Sequence, residues 1–315
     1  MKRRVLAIIL FMLAVMMCAC SNTQNTSTDN DAITQAKSDY NPYKEENIYD
    51  IDSSFFSRND GTDYGTLDTD VEYFSTVAGD KKYVNVLLPP EYDDEKEYPV
   101  MYMIHGWGAD YKAHLSDGSY LHLLYGNMYK KGLVVPMIIV SVDMYSGLQS
   151  EKENLNGEQM RAAYDKTVDD IALDLMPFIE EKYPVKNGRK FSAVAGVSEG
   201  GAKSLCTGFK WLDKFGYIAG IAPDTGVIPT QWHKGTYWNI PYFEELPTPT
   251  KDNMPIYLYL AVGSEDPWNI KCTHYYSEVL DDMNIPHTMD YVEGFGHDSD
   301  FWGECMYNFM HKVFR

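Results

Sequence analysis

Residues 189–203 read RKFSAVAGVSEGGAK, and no other stretch of the chain narrows its fold as far. Phe191 to Ala195 is a short apolar, β-leaning run that stops at Gly196, and from Ala202 the pattern AKSLCTGFKW is helical. Between them Gly196-Val197-Ser198-Glu199-Gly200 forms a G-x-S-x-G turn, followed by a further glycine, Gly201. A strand that turns this sharply into a helix strains the serine backbone and presses the turn against its neighbours, so a Cβ at the flanking positions would collide. The spacing predicts that Ser198 stands above the sheet edge as a nucleophile. The backbone N–H of Glu199, at the helix start, is then placed to hold an oxyanion.

The rest of the chain supplies a sheet for this turn. Val71 to Thr76 and Lys82 to Leu88 are strand-like, and Pro89-Pro90 ends the second. Tyr98 to Ile104 and Leu133 to Asp143 are continuous apolar runs, as expected of strands buried on both faces. Tyr217 to Ala222, Pro255 to Val262 and His287 to Val292 read as further strands. Tyr164, Val168, Ile171, Ala172, Leu175 and Ile179 share one helical face, which predicts an amphipathic helix over 161–182 kinked at Pro177. Thr273 to Met283 and Asp300 to Val313 read as helices. Buried strands alternating with amphipathic helices predict an α/β fold: a mostly parallel central sheet with helices on both faces.

A serine hydroxyl is a poor nucleophile at neutral pH and needs a histidine to take its proton and a carboxylate to orient that histidine. On such a sheet these follow in the order Ser, acid, His, each at the C-terminal end of a strand. The run 256–262 ends at Gly263-Ser264-Glu265-Asp266-Pro267, offering Asp266 as the acid. The run ending at Val292 leads into Glu293-Gly294-Phe295-Gly296-His297-Asp298, offering His297 as the base. Asp224, after an earlier strand, and Glu265 compete for the acid's role, and Asp266 is preferred by strand order. The other seven of the eight histidines lack such a position. His105-Gly106-Trp107-Gly108 follows an early central strand, where an α/β-hydrolase supplies its second oxyanion donor, so the N–H of Trp107 joins that of Glu199. His105 itself reads as a brace for this loop. The proline-broken stretch 226–243 carries Trp232, Tyr237, Trp238, Tyr242 and Phe243; Trp232 and Trp238 are expected to line a substrate cleft, with a cap on the core as the alternative.

The N-terminus reads as an export segment: Lys2, Arg3 and Arg4, an apolar run from Val5 to Met17 too short for a comfortable span, then Cys18-Ala19-Cys20. A cysteine after Ala19 resembles a bacterial lipoprotein processing site with Cys20 as the lipidated residue, so the domain is expected outside the cell, touching membrane only through that anchor. The expected layout is a leader over 1–20, a polar tether over 21–40, an extended lead-in over 41–70 and one catalytic domain over 71–315. The chain has 27 basic and 46 acidic residues, a net charge of −19, which becomes −22 if the three basic residues leave with the leader. Such a surface excludes nucleic acid as a partner and suits a neutral substrate. Cys206, Cys272 and Cys305 match neither a zinc motif nor a disulfide scaffold, and read as small buried apolar residues, with one bridge as the alternative. No metal or cofactor is expected.

Tyr98-Pro-Val-Met-Tyr-Met-Ile-His-Gly, Gly196-Val-Ser-Glu-Gly-Gly, Gly263-Ser-Glu-Asp266 and Gly296-His-Asp-Ser-Asp-Phe-Trp302 together resemble the esterase D-like group of α/β-hydrolases. That group includes the feruloyl and acetyl-xylan esterases of carbohydrate esterase family 1. The resemblance runs from about Val71 to the C-terminus. It implies metal-free hydrolysis of feruloyl or acetyl esters on plant cell-wall polysaccharide such as xylan. Glu199 departs from the Met or Gln common after the nucleophile and adds a charge beside the oxyanion hole. The group also holds siderophore esterases and thioester hydrolases, so a small-ester hydrolase is the alternative within chemistry. A surface carbohydrate-binding protein on a degenerate hydrolase fold is the alternative outside it, although binding needs no Ser198, Asp266 and His297.

Overall fold

The apolar runs of the sequence become strands of one sheet. The computed structural model describes residues 40–315, so Cys20 and residues 1–39 lie outside the described residues. Among the described residues β1 (Thr66–Ser75), β2 (Asp80–Leu88), β3 (Val100–Ile104), β4 (Ile138–Val142), β5 (Ser192–Val197), β6 (Tyr217–Ile221), β7 (Tyr257–Gly263) and β8 (Thr288–Val292) pair in the order β1-β2-β4-β3-β5-β6-β7-β8. β1, β2 and β4 run antiparallel, and from β4 onward every neighbouring pair is parallel.

Burial follows position in that order. Every residue of β3 to β7 is buried, because each strand has partners on both edges and helices on both faces. β1 and β8, at the edges, stay largely exposed or half-buried. Alternate side chains feed two cores: Val100, Tyr102 and Ile104 of β3 enter one, Met101 and Met103 the other. The α/β architecture read from the sequence, a mostly parallel sheet covered on both faces, is the one observed.

The helical layers differ in detail from expectation. Helix α1 (Tyr120–Lys130), to which the sequence reading assigned no element, buries Leu121, Leu124, Tyr125 and Met128, a 3–4 spacing that carries its signal. The helix expected over 161–182 starts earlier, at α2 (Gly157–Asp165), where Asn156 and Gln159 form a reciprocal capping box. It continues through α3 (Thr167–Asp170) and a π-helical turn over Ile171–Leu175 into α4 (Met176–Lys182). The irregularity therefore precedes Pro177 rather than centring on it. Pro177 has no N–H to offer the preceding turn, and the N–H of Met176 reaches back five residues to the carbonyl of Ile171.

Residues 41–65 lie across β7 and the last helix: Tyr43 accepts the N–H of Leu258 at 3.0 Å, Ile48 donates to Asn308 at 2.9 Å and Ile51 to the Glu304 carboxylate at 3.1 Å. Cys206, Cys272 and Cys305 are free and buried. They serve as small core residues, and the alternative of a bridge among them is not realised.

Candidate active site

β5 runs into helix α5 (Glu199–Lys210) with Ser198 between them at φ 56 and ψ −125. A side chain is tolerated there only because the surroundings over-determine the turn. A Cβ on Gly196 would stand 2.1 Å from the carbonyl oxygen of Gly200, and one on Gly200 would stand 2.3 Å from the carbonyl oxygens of Ile104 and His105. The Ser198 N–H donates to Ile221 at 2.9 Å, and its carbonyl accepts from Asp224 at 3.2 Å. The helix begins at Glu199 rather than at Ala202, since close packing on β3 overrides the low helix propensity of Gly200 and Gly201. As its first residue, Glu199 has no intrahelical acceptor for its N–H. The loop after β3 passes close by: a Cβ on Gly106 would lie 3.5 Å from that of Ser198, and Trp107 follows it.

The acid and base arrive on the loops after β7 and β8. His297 Nδ1 donates to Asp266 Oδ2 at 2.6 Å, and Asp266 Oδ1 accepts the N–H groups of Trp268 at 2.8 Å and Asn269 at 2.9 Å. Burial alone would raise the Asp266 carboxyl, but hydrogen bonds from His297, Asn269 and Trp268 outweigh it and hold the group below the usual carboxylate range. With Nδ1 committed as donor, Nε2 keeps its lone pair. The imidazole is braced by two near-perpendicular indoles, Trp268 at 5.2 Å and Trp302 at 5.8 Å between ring centroids. Neither competitor pairs with it: Asp224 accepts the N–H of Thr225 at 2.7 Å, burial raises its carboxyl, and Glu265 is exposed.

Ser198 and His297 open onto one cleft of about 330 Å³, walled by Trp107, Asp224, Trp238, Trp268 and others. His105 is fully buried with Nδ1 bonded to Gly106 at 2.7 Å and Nε2 accepting from Met144 at 3.0 Å, so it braces the loop that carries Trp107. Trp238 packs on Trp107 at 4.5 Å and on Tyr237 at 4.8 Å. Trp232 stands apart, in an adjoining cleft of about 380 Å³, edge-on to Tyr275 at 5.6 Å. Trp232, Tyr242 and Phe243 all pack against the core, and of these Trp232 also lines a cleft, so only part of the 226–243 stretch faces one. Three cleft residues escaped the sequence reading: His233, Asn269, and Trp268, whose signal is its place two residues after Asp266. Among the described residues no group of three His, Cys, Asp or Glu side chains is arranged to hold a metal.

The Glu199 side chain does not leave a free charge at the site. It is fully buried, paired with Arg161 at 2.9 Å and Lys203 at 3.1 Å, and Lys203 also pairs with Asp165. Burial works to lower Lys203, and the carboxylate of Glu199 holds it above its ordinary value instead. Arg161 reaches on to the carbonyl of Thr225 at 3.1 Å. Two cations and two anions thus balance beneath the turn, as buried charges must.

A mostly parallel sheet with Ser198 on a strained turn, lining one cleft with a carboxylate-bound histidine at the C-terminal strand edge, defines an α/β-hydrolase. The family model described as "Putative esterase" matches residues 75–303; the chain belongs to this Esterase family and is a carboxylic ester hydrolase by class. It is similar to an endo-1,4-beta-xylanase/feruloyl esterase of Xylanibacter ruminicola, 24% identical over 270 residues and 84% of this chain. The match spans 33% of that relative's length. Among solved structures it is similar to a CE1 ferulic acid esterase of the anaerobic fungus Anaeromyces mucronatus without substrate, with TM-score 0.73 and 28% identity over 84% of this chain and 96% of that one. The same fungal enzyme in complex with ferulic acid matches with TM-score 0.74 and 26% identity, over 86% of this chain and 98% of that one.

Proposed function

We propose that this protein is a serine esterase that removes feruloyl or acetyl groups from plant cell-wall polysaccharide such as xylan. The observation that carries the reading is the 2.6 Å pair of Asp266 and His297 opening onto the cleft that holds Ser198. Ser198 Oγ bonds to the ester carbonyl carbon while His297 Nε2 takes its proton, and the resulting imidazolium is stabilised by Asp266. The tetrahedral oxygen rests on the N–H groups of Trp107 and Glu199. The bond to the alcohol breaks as His297 returns the proton to the leaving oxygen, which leaves an acyl-serine. Water, deprotonated by His297, then releases the carboxylic acid.

The substrate class is supported by the aromatic walls of the cleft and by the ferulic acid esterases to which the chain is similar. A net charge of −19 favours a neutral polysaccharide over an anionic partner or nucleic acid. We also infer export, with Cys20 as a lipid anchor and the only membrane contact, from the basic and apolar N-terminal sequence. Turnover of methyl ferulate and acetylated xylan by the purified protein, abolished in Ser198→Ala, tests the central reading. Turnover of a catecholate triester alone would overturn the substrate assignment.

A further inference from the structure

We propose that the cleft beside the Ser198 cleft binds the alcohol half of the ester, a neutral sugar ring, with Trp268 as the platform that selects it. The proposal rests on the serine-esterase reading. The two clefts share Trp268 and His233, while Ser198 and His297 belong only to the first. Asp266 and Lys271 also line the second, but it holds neither the nucleophile nor the base and extends the first.

The direction of the reaction assigns the halves of the substrate. The leaving oxygen must receive its proton from His297, whereas the carbonyl oxygen must lie against the N–H groups of Trp107 and Glu199. The alcohol consequently departs on the His297 side, and the acyl group is left the remaining wall of the first cleft, which Trp238 lines. Trp268 lies edge-to-face with His297 at 5.2 Å, so it is the first surface the alcohol meets on leaving.

The chemistry of that surface fits a sugar. Trp268 is 64% exposed, a large apolar area to leave in water, yet its backbone is fixed by its N–H bond to Asp266 and by Pro267 before it. A rigid exposed indole offers its face to the C–H groups of a sugar at little entropic cost. Thr225, His233 and Trp232 line the same cleft, adding polar groups for hydroxyls and a second aromatic wall.

The test holds the acyl group constant and changes the alcohol. kcat/KM is measured for methyl ferulate and for a feruloylated xylan oligosaccharide, and for ethyl acetate and an acetylated xylo-oligosaccharide, with wild type, Trp268→Ala and Trp268→Phe. Wild type should favour the sugar ester of each turned-over pair. Trp268→Ala should lower the ratio of sugar to simple ester ~10-fold, mainly through KM, and Trp268→Phe should restore most of it. Equal losses on both members of a pair would make Trp268 a brace for His297 only and overturn the proposal, as would an unchanged ratio. Absence of turnover on every pair would overturn the substrate reading and the proposal together.

Discussion

Asp266 meets His297 with its geometry already set: one carboxylate oxygen accepts Nδ1 at 2.6 Å while the other is held by the N–H groups of Trp268 and Asn269. The Asn269 side chain in turn donates to the carbonyl of Ala222 at 2.8 Å, tying the acid loop to the strand end that precedes Asp224. The imidazole is thus held through Nδ1, with its other nitrogen left for the cleft that Ser198 also lines, and the consequence can be measured.

Asp266→Asn keeps the shape of the side chain but no longer enforces the Nδ1–H tautomer. In this variant kcat should fall on the order of 10³- to 10⁴-fold with little change in melting temperature. Asp224→Asn should cost far less, and the reverse order of losses would transfer the role to Asp224.

Because the base must be neutral, kcat/KM should rise with pH along a single-proton limb and then level off. Asp266 adds no second limb in this range. Its folded carboxyl lies below its unfolded value of about 3.9, so its stabilising contribution is complete above that value and lost only as pH falls through the folded one. A profile flat between about pH 5 and 8 would count against His297.

His114 should make stability acid-sensitive. Burial lowers it from 6.5 to about 3. Its folded value lies below the unfolded one, so its contribution is intact above 6.5 and is lost between there and about 3, at about 1.4 kcal/mol per pH unit. Urea denaturation at several pH values should show this slope in wild type and its reduction in His114→Gln. Parallel curves would contradict it.

Glu199→Gln leaves Arg161 and Lys203 buried with one carboxylate fewer. Destabilisation of about 3 to 5 kcal/mol is expected in denaturant titration. A loss within about 1 kcal/mol would mean that the charges beneath the turn are relieved by solvent.

Trp238→Ala removes a ring from the acyl side of the cleft. Feruloyl ester turnover should fall ~10-fold more than acetyl ester turnover, the equivalent of about 1.4 kcal/mol. Trp232→Ala, acting from the adjoining cleft, should instead track the alcohol. Equal losses on all esters, or a large drop in melting temperature, would return these tryptophans to the core.

What could be read from sequence was local pattern. The turn at Ser198 carries its glycines in five consecutive residues, and Asp266 follows an apolar run and His297 a mixed β-leaning one, so their places at strand ends are legible by counting along the chain. Glu199 could not be understood in that way. Its counterion Arg161 lies 38 residues upstream on another helix, and nothing in G-x-S-x-G announces it. The early start of α5 is hidden for a related reason: packing against β3 decides it, against local propensity. Trp268 was passed over because a lone tryptophan after an acid loop has no periodicity, and only the meeting of two clefts gives it a place.

The central claim is that Ser198 becomes acylated. Rapid acid quench of wild type during turnover of a feruloyl or acetyl ester, followed by intact-protein and peptide mass measurement, tests it directly. The mass of the protein should rise by one acyl group, located on the peptide containing Ser198, and Ser198→Ala should show no such species. Acylation at another residue, or turnover at an undiminished rate in Ser198→Ala, would contradict the account.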